Sequence, residues 1–226
     1  MRIFIILLLF PTLVWAGTWR DDFEDGNLDG WQWVNTADLV PQLLPGKIRV
    51  ENGEVIMEAV RGATGLYIGD VSWSDYEVEV DVKVTKLQPL DGEGVYIVAR
   101  TRWPAAQGDY IFSLGTCAAG QCVRAFNPLN LQGAQSKPWN WKLGQWYRLK
   151  LVAQGDHFSF YVDGKLAIEY VDATYKTGKT GFGVQWQATV AHFDNFVLSG
   201  PGIPGGYLWV KPEGRLATLW GQLKRF

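Results

Sequence analysis

From residue 47 onward, apolar and polar side chains alternate in short runs separated by glycine, asparagine and aspartate, the two-residue period of strands with one wet face. The clearest run is DYEVEVDVKV: Tyr76, Val78, Val80, Val82 and Val84 share one face, and Glu77, Glu79, Asp81 and Lys83 the other. Runs of the same kind occur at GVYIVARTR, DYIFSL, VRAF, WYRLKLVA, FSFYV, KLAIEY, GFGVQWQ and FDNFVLSG. Three turns are spelled out between them, at Asn52-Gly53, Gly155-Asp156 and Asp163-Gly164, dipeptides that accept positive φ in two-residue hairpins. No stretch of comparable length carries a helical period. About a dozen short antiparallel strands over residues 18–199 predict an all-β, two-sheet antiparallel jelly-roll sandwich, larger than an immunoglobulin domain.

The two ends break this pattern. Residues 1–16 hold one basic residue, an apolar run from Ile3 to Phe10, the helix-breaking Pro11, then Val14 and Ala16 at −3 and −1 of a cleavage site, the grammar of a signal peptide. The run is too short for a comfortable membrane span, so the expectation is export, with a mature jelly-roll domain over 17–199 in the periplasm, at the cell surface or secreted. In that oxidising space Cys117 and Cys122 are expected to bridge across AAGQ; a lone C-x4-C without histidine partners is poor zinc grammar. Residues 200–206, GPGIPGG, read as a linker. In the tail at 207–226, Leu216, Leu219, Trp220 and Leu223 fall at i, i+3, i+4 and i+7, a short amphipathic helix weakened by Gly221, either packed on its own domain or docking a protein partner.

Composition narrows the function. A net charge of −2 argues against an electrostatic grip on nucleic acid or anionic lipid, and 12 tryptophans with 26 glycines mark a turn-rich, aromatic-heavy fold rather than a coiled coil or disordered chain.

In chain order, DDFEDGNLDGW, WSDYEVEVDVKV, GVYIVARTR with YIFSL, GQWYRLKLVAQGDHFSFYVDGKL and TGKTGFGVQWQATVAHFDNFVLSG resemble the concanavalin A-like lectin/glucanase superfamily. The nearest relatives by this resemblance are laminin G-like jelly rolls and the 3-keto-disaccharide hydrolase domain family. The resemblance covers residues 20–199. It implies two curved sheets of six or seven strands, a concave face that holds sugar, and a structural calcium on the convex side.

Tested against that resemblance, the chemistry is selective. Family-16-like glucanases carry E-x-D-x-E or E-x-D-x-x-E because a retaining glycosidase needs two carboxyl groups about 5 Å apart. The nearest match starts at Glu79 and Asp81, but Lys83 and Val84 stand where the second carboxylate belongs, so Glu77, Glu79 and Asp81 read as a solvated face. In the 3-keto-disaccharide hydrolase relatives the closing strand often ends in arginine-asparagine; here it has Asp194-Asn195. His157 and His192 stand apart without metal spacing, and no nucleophile elbow, phosphate loop or dinucleotide fingerprint is present.

For calcium the resemblance carries over Asp22 and Asp194, because the opening and closing strands meet. Asp25, Asn27 and Asp29 imitate an EF-hand loop, yet Thr36 stands where its closing glutamate belongs. Trp31, Trp73 and Trp146 read as core. Trp103 in RWPAAQGD, and Trp139 and Trp141 in KPWNWK, read as loop indoles able to stack on sugar rings, with Arg100, Arg102, Arg124, Gln185 and Gln187 on the same sheet face. The expected role is a carbohydrate-binding or adhesion module for a glycan or cell-surface polysaccharide, without catalysis. The rivals are a 3-keto-glycoside hydrolase using acids of residues 77–81, and an interaction domain working through its C-terminal element.

Overall fold

The computed structural model describes residues 16–88, 92, 94–103, 108–186 and 188–207. Leader residues 1–15, Gln187 and tail residues 208–226 lie outside the described residues. Among the described residues there are sixteen strands: β1 (Ala16–Asp21), β2 (Gln32–Asn35), β3 (Lys47–Glu51), β4 (Glu54–Glu58), β5 (Ala63–Ile68), β6 (Tyr76–Lys86), β7 (Gly94–Thr101), β8 (Tyr110–Cys117), β9 (Gly120–Asn127), β10 (Asn130–Pro138), β11 (Trp146–Gln154), β12 (His157–Val162), β13 (Lys165–Val171), β14 (Lys179–Gln185), β15 (Val190–Pro201) and β16 (Gly206–Tyr207).

They form the two-layer antiparallel sandwich that the alternation predicts. The first sheet has nine strands, running β13-β12-β11-β6-β15-β1-β16 with β4 beside β15 and β3 beyond it; the second has seven, in the order β10-β9-β8-β7-β14-β5-β2. Nine strands exceeds the six or seven expected, because the β3–β4 hairpin adds two at one end of the first sheet. Each two-residue turn read from the sequence joins its strands: Asn52 and Asp163 sit at φ 54° and 50°, each followed by a glycine at positive φ, as type I′ geometry requires.

Inward residues of both sheets make one core. Val78, Val80, Val82, Leu149 and Leu151 from the first sheet meet Val95, Ile97, Phe112, Leu114, Phe182 and Val184 from the second. Trp31 packs edge-on against Phe182 and Phe196, with centroids 5.2 and 4.8 Å away, and its Nε1–H donates to Asp21 Oδ2 at 2.8 Å. Trp146, in contrast, is not core: it lies on the outer face of the first sheet, with the Lys83 ammonium 4.4 Å from its ring centroid. Cys117 and Cys122 are bridged across the β8–β9 hairpin.

Segment 200–206, read as a linker, is held against the sandwich. Gly200 and Pro201 complete β15 opposite Gly17 and Ala16, Ile203 is buried in the core, and Gly206–Tyr207 pairs in parallel with Trp19–Arg20.

Candidate functional site

The two sheets differ on their outer faces, and the site follows from that difference. In the first sheet the outward positions are charged and neutralise one another. Arg148 reaches Glu79 and Asp81, both at 3.1 Å; Lys150 reaches Glu77 at 2.6 Å; and His192 Nδ1 lies 2.6 Å from Glu54 Oε2.

In the second sheet the outward positions are themselves largely apolar. Strand β7 is buried along its whole length: Val95, Ile97 and Ala99 face the main core, while Tyr96 and Val98 face outward into a second cluster with Val34 and Tyr67. Over this cluster lies a groove of about 510 Å³ lined by strands β2, β5, β7, β8, β9, β10 and β14 and the loops at their ends.

Three glycines shape its floor. A Cβ on Gly183 would come within 2.6 Å of the Tyr96 hydroxyl, one on Gly65 equally close, and one on Gly181 within 2.6 Å of the Tyr67 ring. The tyrosines can therefore lie across the neighbouring strands, and their hydroxyls meet at 3.3 Å. Asp109 joins them at the mouth of β8. Loss of hydration pushes its carboxyl up to about 6, against a partial offset from the Thr101 hydroxyl; burial, with a smaller push from the Asp109 charge, holds both tyrosine hydroxyls well above their ordinary range.

The rim carries the remaining chemistry. Trp186 is half exposed, sits at φ 65° and donates its backbone N–H to Gly62 O at 2.7 Å. A left-handed conformation on a bulky residue is strained, and the strand end holds it where the indole faces the groove. Beside it, Gly92 leaves room for both Trp186 and the Arg124 guanidinium, which also lies over the Phe126 ring at 5.3 Å.

Of the residues nominated from sequence, the groove brings together Trp103, Arg124 and Gln185. Arg100 does not join them. A register shift between β14 and β7, with Arg100 at φ 54°, interrupts the alternation and turns the side chain inward, where its guanidinium donates to Ser74 O and Tyr175 O and lies over Phe158. Arg102 is exposed and donates to Thr177 Oγ1, away from the groove. Trp141, expected as an exposed loop indole, is instead 3% exposed in the main core, with Nε1 donating to Gly115 O at 3.0 Å, because KPWNWK is held against β9 by bonds from the Trp139 and Trp141 N–H groups to Gln121. Trp139 likewise packs against the main core. The groove also takes in Asp109, Tyr67, Tyr96 and Trp186, which the sequence pattern does not single out; the signal for Trp186 is an indole directly after a strand, and that for the tyrosines is the glycine-rich GFG and ATG on neighbouring strands.

Asp22 and Asp194, the residues carried over for calcium, each accept a backbone N–H from close in sequence. Asp22 Oδ1 accepts the Glu24 N–H at 3.4 Å and Asp194 Oδ1 accepts the Asn195 N–H at 2.6 Å, as in local turn capping. Among the described residues no group of three or more histidine, cysteine, aspartate or glutamate side chains is placed to hold a metal.

Solved structures share the architecture. The carbohydrate-binding module CBM66 of Bacillus subtilis is 21% identical with a TM-score of 0.54, covering 77% of this chain and 98% of its own. The catalytic domain of an endo-1,3-beta-glucanase (laminarinase) of Thermotoga petrophila RKU-1 is 13% identical with a TM-score of 0.59, covering 82% and 97%. At these identities they show a fold, the concanavalin A-like jelly roll. No curated protein sequence matches the chain. Residues 18–199 match the model of the 3-keto-alpha-glucoside-1,2-lyase-like domain, and the chain belongs to that family.

Proposed function

We propose that the protein is an exported carbohydrate-binding protein whose ligand lies in the groove on the outer face of the seven-stranded sheet. The observation that carries the reading is the meeting, in one groove, of the exposed indole of Trp186 with Arg124, Gln185 and Asp109. An indole stacks on the apolar C–H face of a sugar ring, while planar polar side chains bind adjacent hydroxyls. The disulfide is compatible with an extracellular setting. Binding of glucosides and 3-keto-glucosides, followed by calorimetry, tests the reading: Trp186→Ala should weaken binding about tenfold or more without lowering the melting temperature, and wild-type protein that binds none of them would overturn it.

A second reading, elimination on a 3-keto-glucoside, is favoured by the desolvated carboxyl of Asp109 and by the family. The ketone at C3 acidifies the C2–H bond. A base takes that proton, its electron pair forms the C1=C2 bond, and the C1–O bond breaks with the departing oxygen taking up a proton. A carboxyl poised near 6 is matched to such a transfer at neutral pH, with the carboxylate as base. The acids of residues 77–81, named for this role from sequence, lie on the opposite outer face in ion pairs. Asp109→Asn should abolish turnover of a 3-keto-α-glucoside if this reading holds; wild-type protein that binds the compound unchanged removes it.

A further inference from the structure

We propose that the ligand is an amphipathic glycoside, a sugar bearing an apolar aglycone, rather than a bare oligosaccharide; the inference rests on the carbohydrate reading above. The groove is chemically divided. Its polar groups, Asp109, Gln185, Arg124 and the paired tyrosine hydroxyls, belong to strands of the sheet floor or their immediate ends. Its walls come from the two edges of the same sheet and are aliphatic. Leu39 and Val40, from the loop after edge strand β2, are 43% and 40% exposed; Leu129, just before edge strand β10, and Leu131, on β10 itself, are 59% and 62% exposed.

Aliphatic side chains offer neither a flat face for a sugar ring nor a partner for a hydroxyl. A bare oligosaccharide crossing those walls would leave desolvated hydroxyls unpaired. An alkyl or aryl group placed there covers exposed leucine and gives up no hydrogen bond. Size agrees: about 510 Å³ is roughly 17 water volumes, more than one hexose ring fills.

The test compares methyl and hexyl α-glucosides, in parent and 3-keto forms, by calorimetry on the full chain, with hexyl triethylene glycol as a sugar-free control. The hexyl glucoside should bind at least about tenfold more tightly than the methyl glucoside, because several methylenes leave water. The exposed pair Leu129→Asn and Leu131→Asn should erase that advantage while leaving the methyl compound unchanged. Equal affinity for methyl and hexyl compounds overturns the inference and leaves the carbohydrate reading standing. Hexyl triethylene glycol binding as tightly as hexyl glucoside overturns both, since the groove would then take apolar chains without regard to sugar. Binding of none of these compounds removes the carbohydrate reading and the inference with it.

Discussion

The outer faces of the two sheets are built on the same pleat and solve opposite problems. On the nine-stranded sheet, outward Glu77, Glu79, Asp81, Arg148 and Lys150 neutralise one another in water and leave little surface for an uncharged ligand. On the seven-stranded sheet the outward positions hold Tyr67, Tyr96, Val98 and Ile111, so this sheet is apolar on both sides under a groove. A charged outer face keeps an antiparallel sheet soluble, whereas an apolar one exposes surface to water unless something covers it. The costly face is therefore the one expected to bind. Large effects of mutation should fall on the second sheet, small ones on the first.

The largest expected effect separates two tryptophans that look alike in sequence. Trp141→Ala removes a buried indole and its bond to Gly115 O, a loss of about 3–5 kcal/mol. Trp186→Ala, at the groove rim, should leave stability nearly unchanged and reduce ligand affinity. Thermal melts with parallel binding titrations check both, and a melting temperature unmoved by Trp141→Ala breaks the assignment. Gly183→Ala should resemble Trp141→Ala more weakly, by about 1–3 kcal/mol, since its Cβ meets both the Thr64 carbonyl and the Tyr96 hydroxyl.

Next in size is the pH dependence of Asp109. Its pKa is about 6 in the folded protein against 3.8 for the ordinary carboxyl, so the folded state binds the proton more tightly. Stability from this group is full below about pH 4, falls as pH rises from there to about 6, and is then constant at its low value. Asp109→Asn removes that dependence. At pH 7.5 it should gain up to about 3 kcal/mol, an upper bound set by the shift, and at pH 3.5 the gain should vanish. Denaturation at both pH values measures it, and a gain that is the same at each contradicts the desolvated carboxyl.

The same contrast explains what sequence could and could not reveal. Strands β6 and β11 were legible because their wet faces are charged, so the period of two stands out. Strand β7, GVYIVART, reads as a strand, but no charge marks a wet face before Arg100 because both of its faces are covered, and its outward Tyr96 and Val98 cannot be told from core. Arg100 was misassigned because the bulge that reverses its direction leaves no mark in the residue pattern. KPWNWK looked like a loop with wet indoles, and only the long-range bond from Trp141 to Gly115 O reveals otherwise. Trp103, Arg124 and Gln185, nominated from the sequence, do line the groove; Asp109 joins them there only because distant segments meet in three dimensions.

On the charged face, Arg148→Ala should cost about 1 kcal/mol, because its two ion pairs are partly solvated. That is well below the Trp141 effect, and a loss of comparable size would mean that the network is buried in function if not in area.

The smallest expected effect distinguishes the causes of two carboxyl shifts of similar size. Asp194, like Asp109, is pushed up to about 6, first by partial burial and then by the neighbouring charges of Asp81, Glu24 and Glu54, against a hydrogen bond from the Asn195 N–H. Asp81 stands directly opposite it across β6 and β15, a like-charge pair that Arg148 and the Asn195 side chain only partly offset. Repulsion between solvated charges is screened as the Debye length falls from about 10 Å at 0.1 M salt to about 3 Å at 1 M, whereas loss of hydration is not. Carboxyl titrations followed by NMR at the two salt concentrations should therefore show Asp194 moving down toward the ordinary carboxylate value while Asp109 stays put. For Asp194 the folded pKa is raised, so its cost to stability appears as pH rises from about 4 to 6, and high salt should shrink that cost by less than about 1 kcal/mol. If both groups move equally with salt, Asp109 is governed by charge rather than by the apolar groove, and the contrast between the two faces loses its electrostatic half.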